Sequence, residues 1–123
     1  MSKIQALQHD ALTVSPSTPG IIRHLAFKGD DYMVLRARTD PSTVSGWHHH
    51  GNYDVYGYVV SGAVRLESRS RTEDNVSLGP GDFFHVSPHT VHREANPSES
   101  MSSEVILFLR GTGPLVFNMD AAG

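Results

Sequence analysis

From Gly20 onward the chain is cut so closely by turn-forming residues that no long helix fits after residue 12. What remains between the turns is short and strand-like. IIRHLAF (Ile21–Phe27) and DYMVLRAR (Asp31–Arg38) flank Lys28-Gly29-Asp30, a tight-turn signal. VYGYVVSGAVRLES reads as two strands meeting in a hairpin at Ser61-Gly62, with the polar loop RSRTEDN after them. VSLGPGDFFHV places Gly79-Pro80-Gly81-Asp82 between two more strands. SEVILFLRG is an apolar run that predicts a strand buried on both faces. PLVFNM suits a final edge strand, where Pro114 is tolerated. Many short strands at even spacing predict an all-β antiparallel barrel or sandwich.

With 123 residues, one domain with one core is expected. Residues 1–19, where Pro16 and Pro19 break regular structure, read as an N-terminal arm that is weakly structured or exchanged between the protomers of a dimer; 20–118 as the barrel; 119–123 as a C-terminal tail. The net charge of -3 offers no basic surface for nucleic acid or an anionic membrane. No apolar run approaches the ~20 residues that span a bilayer. The opening MSKIQALQHD lacks the apolar centre of a secretory leader, so a cytoplasmic location is the expectation. Cysteine is absent, which removes both disulfides and thiolate zinc sites.

Histidine is the remaining chemical resource, and six of the eight lie in two short windows. SGWHHHG carries three in a row, mid-chain rather than at an end where a purification tag would sit. On a strand, residues two apart share a face, so His48 and His50 point to one side and His49 to the other. A first-row divalent metal takes nitrogen ligands at ~2.0–2.2 Å, and such a pair is preorganised for it. The window GDFFHVSPHTVHREAN supplies His85, His89 and His92, any of which would close a facial triad from a second strand. The bland reading of the same residues is a metal-free core of hydrogen-bonded imidazoles.

The two windows resemble the paired motifs of the cupin superfamily, whose members are small antiparallel jelly-roll barrels (double-stranded β-helices). His48, His50 and Gly62 fit the first motif; Gly81, Asp82, His92 and Asn96 fit the second in register. Four positions depart from the pattern. Val55 stands where a glutamate ligand is usual. Ser87 and His89 replace a proline and a glycine, and Ser42 replaces the first motif's opening glycine. Asp54, beside Val55, would face the other way in a regular strand, unless a bulge re-aimed it. The resemblance thus implies a metal site of His48, His50 and His92 without the carboxylate.

Cupins with only three histidines include iron dioxygenases. The resemblance therefore implies a divalent metal cofactor, foremost Fe(II), with Zn, Ni or Mn as other choices, and a dioxygenase-like reaction on a small organic molecule. A metal-dependent isomerase or lyase and a non-catalytic ligand-binding or sensor barrel are the other readings. Tyr53, Asp54 and Glu94 are the candidate acid–base groups. Many cupins are dimers, and a homodimer is expected here. Arg36 and Arg38 share a strand face with Tyr32 and Val34. That face is either lumen, where an arginine would bind a carboxylate, or solvated surface. His85 and His89 are likewise open between pocket and surface. Three ligands that must be deprotonated, each titrating near ~6.5 when free, imply metal affinity that falls below about pH 6.

Overall fold

The computed structural model describes residues 3–119, which form two antiparallel sheets facing one another across a common core. The strands are β1 (Thr13–Val14), β2 (Ile21–Lys28), β3 (Tyr32–Thr39), β4 (Thr43–Val44), β5 (His48–His49) and β6 (Asp54–Ser61). They continue as β7 (Val64–Ser68), β8 (Val76–Leu78), β9 (Phe83–Val86), β10 (His92–Asn96), β11 (Ser103–Arg110) and β12 (Phe117–Asn118). One sheet runs β1-β2-β3-β11-β6-β9; the other runs β12-β5-β10-β7-β8, with β4 beside β10. This is the all-β jelly roll expected from the sequence. The described residues contain no α-helix, and no helix long and apolar enough to cross a membrane.

Alternation explains what faces inward. Met33, Leu35 and Ala37 on β3, Val55 and Val59 on β6, and Val105, Leu107 and Leu109 on β11 are buried, while their neighbours face out. The apolar run of β11 is therefore covered on one face only. Ile106 and Phe108 stand on the outer face at 37% and 41% exposure. There they join an aromatic row in which Phe108 stacks on Tyr32 and Tyr58 packs on Phe83. Burial on both faces, the expectation from hydropathy alone, is corrected by this alternation.

The turn at Lys28–Asp30 closes a true hairpin, β2 on β3. Ser61-Gly62 does not. β6 pairs with β11 and β9, whereas β7 pairs with β10 and β8, so the chain changes sheets at Gly62. The same holds for Gly79–Asp82 between β8 and β9. Gly62 has φ +78°, and any Cβ there would strike the Ser102–Ser103 backbone, which is why this corner takes glycine.

Two motif departures acquire a physical reason here. Ser42 (φ 56°) and His89 (φ 60°) are the non-glycine residues with positive φ among those described, and both occupy positions where the resembled motif has glycine. The backbone keeps its left-handed turn, and a serine and a histidine adopt it. The N-terminal segment lies against the barrel: β1 pairs with β2, and Thr18 is fully buried. Of the expected tail 119–123, residues 120–123 lie outside the described residues.

Candidate metal centre

β5 and β10 pair with His92 directly opposite His48, so three of the candidate ligands share one patch of the lumen. His48, His50 and His92 are all buried, and their donor nitrogens lie within 4.8 Å of one another. Ring centroids are 4.4 Å apart for His48–His92, 5.1 Å for His48–His50 and 5.3 Å for His50–His92. His49 points to the other side, stacked on Phe117, with its Nδ1 accepting from the Gly51 amide.

Every one of the three rings is oriented by a backbone carbonyl. His48 Nδ1 lies 2.9 Å from Gly46 O, His50 Nδ1 2.9 Å from Leu115 O, and His92 Nδ1 2.8 Å from Thr90 O. A carbonyl only accepts, so each Nδ1 carries the proton and donates it. Each Nε2 is then a bare lone pair. Three lone pairs converge in the lumen, and that of His48 is buried with no partner. Bare acceptors buried together are costly unless something electropositive sits among them. The donor set thus fits a divalent transition metal, and the carbonyl bonds supply the ligand orientation such sites use.

The electrostatics agree with neutral imidazoles. Burial above all, then the neighbouring His92 and Arg23, push His48 down to about 2. The same causes in the same order bring His50 to about 3. Burial, with Arg23 adding to it, brings His92 to about 4. The expectation that protons displace metal below about pH 6 used the free-histidine value. Burial moves that competition to below about pH 4 in the folded protein.

Asp54 heads β6 on its outer side, its carboxylate 2.8 Å from His85 Nε2, while Val55 faces in. The β6–β11 ladder shows no shift from Asp54 to Val59; the bulge lies further along, between Glu104 and Val105. His85 is thereby on the surface side, stacked on Tyr56. Tyr53 is buried and donates its hydroxyl to Gly113 O. Glu94 follows His92 by two residues on β10 and shares its lumen face. Arg36 and Arg38 lie on the outer face of β3; Arg36 reaches His9 O and Glu104. His89 donates Nε2–H to Asn52 Oδ1 at the barrel rim.

Arg23 was not singled out from the sequence. It sits on β2 at 1% exposure, its Nη1 donating to Thr18 Oγ1 at 2.9 Å. Thr18 donates on to Asn118 Oδ1, and Asn118 pairs with His48 across β12 and β5. The signal was available: Arg23 shares parity with Ile21 and Leu25, both core-facing. Its charge is felt by the buried Glu94, with which it makes no ion pair or hydrogen bond, and its Nε has no partner. Glu94 is raised by burial and lowered by Arg23.

Comparison with known proteins gives the same frame. A family model described as Cupin domain matches residues 35–109. No curated protein matches the sequence significantly. Among solved structures, KdgF from Halomonas sp. is 28% identical, covering 86% of this chain and 94% of its own, with a TM-score of 0.68. The polyketide cyclase RemF from Streptomyces resistomycificus is 13% identical, with 96% and 87% covered and a TM-score of 0.76. An RmlC-like cupin from Shewanella frigidimarina is 18% identical, with 89% and 93% covered and a TM-score of 0.70.

Proposed function

Since the chain belongs to the cupin family, we propose that it is a three-histidine metalloenzyme of dioxygenase-like chemistry that acts on a small organic molecule. His48, His50 and His92 hold a divalent metal, foremost Fe(II). The observation that carries this reading is the shared tautomer: three Nδ1–H groups fixed on carbonyls, leaving three Nε2 lone pairs converging. When bound, such an ion supplies a charged centre with open positions for an organic ligand and O₂. The chain's own contribution is to keep three neutral donors aligned and to exclude water around them. Val55 brings no carboxylate to the centre, so the full positive charge of the ion faces the ligand.

Of the acid–base candidates, Glu94 is the best placed, facing the lumen beside His92. Tyr53 and Asp54 are engaged elsewhere, with Gly113 and His85. The experiment is Fe(II) loading followed by nitric oxide. A new visible absorption band, absent from a His92→Ala variant, is the expected result. His92→Ala should also weaken metal binding at least tenfold by equilibrium dialysis. Full stoichiometric metal in that variant would remove His92 from the ligand set.

The working unit is proposed to be a homodimer that covers the aromatic outer face of β3, β11, β6 and β9. Phe83 at 75% exposure, Tyr56 at 47% and Phe108 at 41% form an apolar surface of the kind association buries. Sedimentation should give twice the 13.5 kDa chain mass at micromolar concentration. A species at the single-chain mass would leave this face free.

A further inference from the structure

The carbonyls that orient His48 and His50 lie outside the named strands. Leu115 O, which takes the His50 proton, precedes β12, a two-residue strand at the edge of its sheet. Gly46 O, which takes the His48 proton, lies in the stretch between β4 and β5. So short an edge strand supplies few ladder bonds, and strand pairing alone leaves both carbonyls loosely held. The third carbonyl, Thr90 O, belongs to the loop before β10.

One turn, Ser17–Pro19, reaches both loosely held segments. Pro19 O accepts from the Gly46 amide at 3.0 Å. Ser17 O accepts from Asn118 Nδ2 at 3.0 Å, and Thr18 donates its hydroxyl to Asn118 Oδ1 at 2.8 Å. Both halves of the Asn118 amide are thus used on a turn 100 residues earlier in the chain. Thr18 is 1% exposed, and its oxygen accepts from Arg23 Nη1 at 2.9 Å, which leaves the hydroxyl proton for Asn118. Asn118 pairs with His48 across β12 and β5, and the Met119 amide donates to Trp47 O. The turn, residues 46–48 and residues 115–119 therefore form one hydrogen-bonded block behind His48 and His50.

We infer that Thr18 and Asn118 are positioning residues of the metal centre: through the Ser17–Pro19 turn they hold the two carbonyls that fix the His48 and His50 rings. The inference rests on the metal reading above and adds two residues that act through those carbonyls and not on the ion. An imidazole turns easily about its outer torsion, so a ring whose carbonyl drifts presents its Nε2 to the lumen for only part of the time. The effect is asymmetric. The turn makes no hydrogen bond to Thr90, so His92 keeps its own carbonyl and serves as the internal reference.

The test uses the full chain, with Co(II) as the probe. Thr18→Val keeps the side-chain shape and removes the hydroxyl; Asn118→Ala removes both amide bonds at an exposed position, so it carries the test if the buried variant does not fold. Each should weaken Co(II) binding about tenfold by titration of the visible band, the lower edge of the effect of ligand-orienting groups. Thr18→Ser, which keeps the hydroxyl, should stay within about twofold of the parent. Val105→Ala, a core truncation on β11, controls for lost stability and should leave Co(II) affinity unchanged. The same variants are read metal-free by hydrogen exchange of the imidazole Nδ1–H protons in long-range proton–nitrogen spectra. Exchange at His48 and His50 should quicken at least about fivefold in Thr18→Val and Asn118→Ala, with His92 unchanged. If the parent takes up no Co(II), the metal reading fails and exchange alone decides the inference. Unchanged exchange at His48 and His50 in both variants would overturn it, as would unchanged Co(II) affinity in a protein that binds the ion. Equal quickening at all three histidines, or the same quickening in Val105→Ala, would also overturn it, since either marks a general loss of stability.

Discussion

Metal-free protein is expected to lose about 4 kcal/mol of stability for each pH unit between about pH 6.5 and pH 4, where three groups each contribute ~1.4 kcal/mol per unit. The cause is the burial of three neutral imidazoles. In the unfolded chain each takes up a proton near ~6.5; in the fold His92, His50 and His48 resist it down to about 4, 3 and 2. Across that window the unfolded state binds more protons than the native state, so stability rises with pH. It is fully present above the unfolded value and lost as the solution is acidified. Glu94, raised by burial, acts in the opposite direction, one group against three. Glu67 is held low by its bond to Arg93 and adds to the acid loss further down.

The size matters because a domain of this length is stable by only ~5–15 kcal/mol in total. Urea midpoints of chelator-treated protein at pH 7.5, 6.5, 5.5 and 5.0 should fall steeply below pH 6.5. Added Zn(II) should raise the midpoint at both pH 7.5 and pH 5.5, since the folded ligands stay unprotonated at either value. A His48→Gln, His50→Gln, His92→Gln triple variant should show the flatter profile. A midpoint indifferent to pH between 7.5 and 5.5 would mean that the imidazoles are hydrated and not held neutral by burial.

Those depressed values were not legible in the sequence, because burial belongs to the packed lumen and not to any local pattern. The three-histidine cluster was legible. A spacing of two on a strand fixes that His48 and His50 share a face, and the resemblance of the second window, which opens on Gly81-Asp82, singles out His92. The face of Asp54 followed from the same parity. Pairing across sheets did not. Ser61-Gly62 has the local chemistry of a hairpin, and nothing within a few residues distinguishes a hairpin from a corner that hands the chain to another sheet. The outer aromatic face was hidden for a related reason: an apolar run is equally compatible with two buried faces and with one buried and one unpartnered. Arg23 was not read as core-facing, although the parity of its strand groups it with Ile21 and Leu25.

Arg23 is therefore where the second large effect is expected. Arg23→Met should destabilise the protein by about 1–3 kcal/mol, the range for leaving buried polar groups without their partner. Thr18 loses its donor, and the buried Glu94 loses a nearby positive charge with which it makes no direct ion pair. The mechanism is the position of Glu94, at 7% exposure, with the Arg23 charge as its compensation. Without Arg23 that carboxylate must either remain charged in an apolar barrel or take up a proton. Thr18 would also lose the donor that links it to the barrel, though it keeps its bond to Asn118. Glu94→Gln in the Arg23→Met background removes the stranded charge, so the double variant should recover a substantial part of the loss. The coupling from that cycle should be about 0.5–3 kcal/mol, the range for residues that share an electrostatic environment. Independent, additive losses would show that Arg23 acts through packing and its hydroxyl partner alone. The cycle is best measured at pH 7.5 on metal-free protein, where the three imidazoles are neutral in both folded and unfolded chains and do not contribute to the difference.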